Sequence, residues 1–366
     1  MTQLGSAFLS SIGAAFNSIP YPLFSSRNSN AAANSSNPAL AAFESDMLAH
    51  LEGLKQAAEN THSHLDLDWL HKALLLVLFT HSSVAKTIPE LELPLAEKDE
   101  KSINDYLDDS VKLLDVCNVL KESFADVERY QMLVQLALHC FDNKDSMNDK
   151  NLIRAKNILH ECIEAMKKKD EELDRQGQQR SKLENCSSML RRMGEKLTSP
   201  VSLDGSKAGS LLTAMYGAKA ATIFVCGVVA AALLVKPRRP LPSLHLTSSY
   251  PSWASSMLRL QSKVKEEIDK KKAGASSSAL LHELDCVHSE VKKLYIVLDK
   301  MLADKTSSAS NREKMDEVRQ SVGQLQGYAE TLQKGMIPLE NQIKELYRML
   351  VSSRVALLGV FTHARN

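Results

Sequence analysis

The residue types best able to do chemistry gather in only a few places along this chain. His282, Asp285, Cys286 and His288 form the densest run, and a zinc ion would need such ligands to converge. On a helix His282 and Cys286 share a face at i and i+4, but Asp285 and His288 project elsewhere and a fourth ligand is missing, so the run makes no metal site. His62, His64, His71 and His81 are near neighbours in sequence, yet their spacing puts few of them on one face, and they read as surface or core histidines. Asp108 and Asp109 are adjacent, so their carboxylates diverge instead of facing each other across a substrate; acids near a helix start serve the helix dipole. GSKAGS, beginning at Gly205, has a lysine between glycines but lacks the GxxxxGK[ST] spacing and follows no strand pattern, so it reads as a linker. No GxSxG elbow, HExxH helix or EF-hand loop occurs. No catalytic residue, cofactor or metal is therefore assigned, and the reading is a non-enzymatic protein. The alternative class is an enzyme or small-ligand carrier whose site is assembled inside a helical bundle from separate helices.

The elements that carry these residues follow from composition and period. Lysine and arginine total 45 against 44 aspartate and glutamate, a formal charge of +1, which lacks the basic footprint of a nucleic-acid binder. Aromatic residues at 5%, with 14 glycines and 11 prolines in 366 residues, disfavour sandwiches, barrels and propellers and leave helices. The six cysteines, at 117, 140, 162, 186, 226 and 286, include no CxxC pair and read as reduced buried thiols.

Residues 1–42 contain no acid and one base, Arg27, and read as a disordered arm that also has some features of a targeting segment. Residues 43–200 form an N-terminal helical region: Leu48, Leu51 and Leu54 mark one helix, and Leu70, Ala73, Leu74, Val77 and Leu78 a second that ends before Pro89 and Pro94. Ser102 to Leu120 and Phe124 to Phe141 follow as two further helices, and Asn148 opens another. Residues 201–240 hold the apolar segment and a linker, and residues 251–366 a C-terminal bundle. There Leu280 to Leu298 and Met315 to Leu332 have the stripes of an antiparallel helical hairpin, and a third helix begins near Pro338 with Leu339, Ile343, Leu346, Leu350, Val355 and Leu358 on its apolar face. The expected fold is all-α, an elongated multi-helix bundle around a central apolar helix.

Ala220 to Val235 is sixteen residues without a charge. At about 1.5 Å per residue it reaches roughly 24 Å, short of a hydrocarbon layer near 30 Å. A buried central helix or a peripheral membrane contact is the preferred reading over a true span. In a span Lys219 would snorkel, and Lys236, Arg238 and Arg239 would favour the cytosolic side.

The stretch YLDDSVKLLDVCNVL, Tyr106 to Leu120, resembles the signature of the plant BYPASS family. WLHKALLLVLFTHSSVAKTI from Trp69, LALH from Leu136, TIFVCGVVAAAL from Thr222 and LENQIKELYRMLVSSRVALL from Leu339 are similar to family segments in the same order. The resemblance implies a helical land-plant protein that restrains a root-derived mobile signal controlling shoot development. It further implies membrane association, and partners such as exocyst-type trafficking subunits held on helical surfaces; the expected location is the cytosolic face of an endomembrane or the plasma membrane, with a plastid, argued from the acid-poor, serine-containing arm, as the alternative. The family brings no catalytic residues, so the signature residues Leu107, Asp108, Asp109, Leu114, Asp115, Cys117 and Asn118 have no assigned role. By type, Leu107, Leu114 and Cys117 are core candidates, while Asp115 and Asn118 are suited to capping or bonding a neighbouring helix.

Overall fold

Apolar residues recurring every three or four positions leave each segment one face to hide, and the chain hides these faces helix against helix. A computed structural model describes residues 38–61, 63–91, 95–141, 148–175, 181–197, 206–234, 240–244, 246, 252–273, 279–303 and 308–364. In chain order the helices are α1 Pro38–Thr61, α2 Leu67–Thr87, α3 Glu97–His139, α4 Asp149–Arg175, α5 Lys182–Glu195, α6 Lys207–Leu233, α7 Ala254–Ala273, α8 His282–Ala303 and α9 Ser308–Ala364. A short 3₁₀ turn, Ile88–Glu90, follows α2, and no strand occurs among the described residues. The residues expected as an N-terminal arm lie outside the described residues up to position 37, and α1 begins at Pro38.

The apolar helix α6 is the centre. Apolar residues occupy every face of it, so water must be excluded all round, and α1, α2, α3 and α5 pack against it. It is long and apolar enough to cross a membrane, and 94% of its most apolar 18-residue stretch is buried inside the bundle. GSKAGS is not a linker beyond Gly205: Ser206 Oγ accepts from Gly209 N at 3.0 Å, and Lys207 to Ser210 form the first turn of α6. Val235 and the basic cluster after it lie outside the described residues.

Two expected boundaries disappear. Ser102 to Leu120 and Phe124 to His139 belong to one 43-residue helix, α3, because nothing between them breaks a helix and the buried stripe runs on through Leu120, Phe124 and Val127, while Phe141 lies in the turn beyond its end. Pro338 does not start a helix; it lies inside the 57-residue α9. An interior proline costs about 3 kcal/mol, and the buried residues on either side, Leu332, Met336, Leu339 and Ile343, offset it by packing against α2, α3 and α8. The hairpin itself is present, α8 lying along α9 with Leu284, Val287, Val291, Leu294 and Leu298 buried.

Polar side chains tie this core together at few points. His81 on α2 is fully buried and its Nε2 lies 2.8 Å from Thr222 Oγ1 on α6. The Thr222 hydroxyl donates to Ala218 O at 2.6 Å, so it accepts from His81, which fixes the proton on Nε2 and leaves Nδ1 with no partner among the described residues. At the α1–α2 corner, Glu267 of α7 accepts from Ser63 Oγ at 2.8 Å and His64 N at 2.7 Å, and lies 2.6 Å from His64 Nδ1. Burial pushes the Glu267 carboxyl up, but these bonds together outweigh it and hold it below its usual range. Gly227 of α6 lets the Pro240–Leu244 segment cross closely, since a Cβ there would lie 2.6 Å from Pro242 Cγ.

Two outcomes follow from this packing. Gly227→Ala is destabilising by about 1–3 kcal/mol despite alanine's better helix propensity, because the proline ring cannot yield, and urea unfolding reads it. Burial lowers His81 from 6.5 to about 4. The unfolded chain then takes up a proton that the folded chain refuses, so the stability present above pH 6.5 is lost as pH falls toward 4. Between pH 7 and pH 5 the native chain loses about 2 kcal/mol more than His81→Leu does, measured by urea unfolding at both values.

Candidate functional site

Tyr106 to Leu120 occupies the middle of α3, and its neighbours decide which of its side chains are used. Leu107 and Cys117 are buried as expected, together with Tyr106, Ser110, Leu113 and Leu120. Leu114 is only half-buried, because the stripe that meets the other helices passes through Leu113. Asp108, Asp115 and Asn118 are exposed, and among the described residues neither Asp115 nor Asn118 bonds a neighbouring helix.

Asp109 takes the part that the sequence reading gave to the dipole. It lies well inside α3, since the helix begins at Glu97, and it bonds Lys112 Nζ at 2.7 Å and also pairs with Lys219 of α6. Lys219 therefore does not snorkel; its side chain is 15% exposed and Asp109 is 16% exposed. Burial pushes the Asp109 carboxyl up, but its bonds to Lys112 and Lys219 and their charges outweigh that and hold it below the usual carboxylate range. One signature carboxylate thus neutralises the single cation embedded in the apolar stretch of α6.

A second connection joins the signature to the C-terminal segment. Arg354 of α9 donates to the Leu107 carbonyl and, at 2.6 Å, to Ser110 Oγ, while the Ser110 hydroxyl donates to the same carbonyl at 2.6 Å. The sequence reading passed over Arg354, Ser110 and Tyr106. The available signal was a lone arginine between the apolar residues of the last helix and a serine at helical spacing from Leu107 and Leu113.

Beside the ion pair lies an open cleft of about 760 Å³ between α3, α5 and α6. Met193, Leu212 and Met215 form an apolar floor, and Arg192, Lys196, Asp105 and Asp108 stand at its exposed rim. Tyr106 and Tyr216 also line it; both hydroxyls are buried without a hydrogen-bond partner among the described residues, and burial pushes both phenols up. Burial, with a smaller contribution from Cys186, raises the Cys117 thiol to about 12, and burial raises Cys186 likewise, so these thiols are protonated and unreactive.

The other chemistry-bearing runs are dispersed. Cys286 Sγ lies 3.7 Å from His282 Nε2, but Asp285 accepts from Ala279 N at 3.1 Å and His288 Nδ1 meets Tyr130 Oη at 2.9 Å. His71 goes to Gln342 of α9 at 3.1 Å and His81 to Thr222 of α6, each tying two helices together, while His64 ties the α1–α2 corner to Glu267 of α7; His62 lies outside the described residues.

The family described as Protein ROH1-like matches residues 10–196 and 178–361. UPF0496 protein 4 of Oryza sativa subsp. indica is 30% identical over 259 residues, 70% of this chain, and the chain spans about half, 54%, of that relative's length. Protein BPS1, chloroplastic, of Arabidopsis thaliana is 27% identical over 339 residues, 93% of this chain and 88% of its own length, which bears out the resemblance to the BYPASS family. Protein ROH1D of Arabidopsis thaliana is 23% identical over 333 residues, 81% of this chain and 82% of its own length. No solved structure matches.

The Asp109–Lys219 pair is testable by a double-mutant cycle in urea. Asp109→Asn, which leaves Lys219 half-buried without its carboxylate, costs about 1–3 kcal/mol, a value reduced from that of a fully buried pair by partial solvent screening. Lys219→Met combined with Asp109→Asn costs less than the sum of the two by at least about 0.5 kcal/mol. Additive losses would mean the two side chains are not coupled.

Proposed function

The chain belongs to the ROH1-like family, and from that premise we propose that it is a non-enzymatic regulatory protein of plant development that works by holding protein partners on a helical surface. The observation that carries this reading is on the last turns of α9. Val355 and Leu358, expected in the core, are instead 66% and 48% exposed, and Val351 at the same helical spacing is 38% exposed. The buried face of α9 has rotated to Ser353 and Leu357 over this stretch, leaving an apolar stripe at i, i+4 and i+7 open to solvent. Val111 of α3, next in sequence to the Ser110 that Arg354 holds, is also apolar and 45% exposed. A stripe on a helix that is bonded to its neighbour is a rigid platform of the kind that takes the apolar face of a partner helix.

In this reading the protein restrains a root-derived mobile signal controlling shoot development, and exocyst-type trafficking subunits are the partner class. Both rest on the family resemblance. The same reading makes membrane association peripheral, which the burial of α6 inside the bundle supports. The name of the Arabidopsis thaliana relative, Protein BPS1, chloroplastic, supports a plastid as the alternative location.

The test is a Val355→Asp, Leu358→Asp double variant. Both positions are exposed, so unfolding free energy changes by no more than about 0.5 kcal/mol per site. A partner that copurifies with the native protein from plant tissue, and binds it again when both are pure, is lost by the variant. A partner held equally by both forms would remove the stripe from the mechanism.

A further inference from the structure

We propose that the cleft between α3, α5 and α6 binds a free apolar monocarboxylic acid, its hydrocarbon body on the methionine and leucine floor and its carboxylate on Arg192 and Lys196. The size is right: at about 760 Å³ the cleft falls within the range of pockets that enclose small organic ligands. Met193 and Met215, buried in its floor, are unbranched and adapt to an irregular hydrocarbon shape.

The rim selects the charged group. Of its four cations, Lys112 and Lys219 are already bonded to Asp109, while Arg192 and Lys196 make no ion pair among the described residues. An arginine fork takes carboxylate and phosphate alike. Asp105 and Asp108 stand at the same rim, and repulsion from them rises with the charge of the ligand, which favours a singly charged carboxylate over a dianionic phosphate.

The Tyr106 hydroxyl supplies the independent sign. A buried hydroxyl without a partner among the described residues is costly and rare in a native structure, and Tyr106, which carries this one just beneath the surface, lines the cleft together with adaptable methionines. A bound oxygen reaching it once Met193 or Met215 shifts would give it the bond that it lacks. Tyr106 lies in the signature segment, so occupancy of the cleft bears directly on the part of α3 that Arg354 fastens to the α9 stripe.

The test is calorimetric titration of the full chain with dodecanoate below its micelle concentration, beside dodecanol. The expected result is one saturable site for dodecanoate with Kd of roughly 1–100 µM, and binding of dodecanol at least ten-fold weaker. Arg192→Glu with Lys196→Glu, both at exposed positions, weakens dodecanoate at least ten-fold without lowering the melting temperature. Tyr106→Phe weakens it several-fold while leaving the unliganded melting temperature unchanged or raised, a combination that a merely structural tyrosine would not give. Absence of saturable binding, or equal binding of dodecanol and dodecanoate that the charge reversals leave intact, overturns the proposal. Binding seen only when the acid is displayed in phosphatidylcholine vesicles would assign the site to a bilayer and overturn a free ligand.

Discussion

A helix that is apolar on every face cannot rest against water on any of them, and α6 imposes that condition on the rest of the chain. Four helices are needed to close around it, which is why α1, α2, α3 and α5, widely separated in sequence, converge on one axis. Close approach is possible because α6 is rich in alanine and glycine: Gly217 leaves room for Phe43 of α1, and Gly227 for Pro242. Two polar side chains from its neighbours find partners on α6, His81 at Thr222 and Asp109, which also bonds Lys112, at Lys219. Both matches are needed, because an unpartnered polar group in such surroundings costs more than the bond itself contributes.

The segments that resemble the BYPASS family are the ones that meet in space. WLHKALLLVLFTHSSVAKTI supplies His81 and TIFVCGVVAAAL supplies Thr222; YLDDSVKLLDVCNVL supplies Leu107 and Ser110, and the C-terminal segment supplies Arg354. The family pattern is therefore in large part a pattern of helix-to-helix contact. Asp109 belongs to it for an electrostatic reason, holding a lysine that would otherwise sit uncompensated against the apolar helix.

Among the described residues, two surfaces linked to the signature are left open by this packing. One is the apolar stripe on the last turns of α9, and the other is the cleft whose floor is made by α5 and α6. Arg354 stands between them in connectivity, since its bonds to Leu107 and Ser110 fix the end of α9 to the same turns of α3 that carry Tyr106 into the cleft. Under the two proposals above, Arg354 is the contact that joins the proposed ligand's surface to the proposed partner's surface.

What the sequence determined alone was the class of the structure and the identity of its centre. Helical period in every stripe, and a charge-free run too short to span comfortably, were enough for an all-α bundle around α6, because burial of apolar faces depends on local spacing that can be read along the chain. What only the tertiary structure decided was where those stripes stop. Pro338 is a helix start by local rules and a helix interior in the fold, since packing on both sides outweighs its cost. Val355 and Leu358 continue a stripe by spacing, yet none of the described helices covers them there, so they are exposed. Asp109 looks like a dipole acid until α6 brings Lys219 to it across more than a hundred residues, a pairing with no trace in local sequence because it is set by which helices pack together.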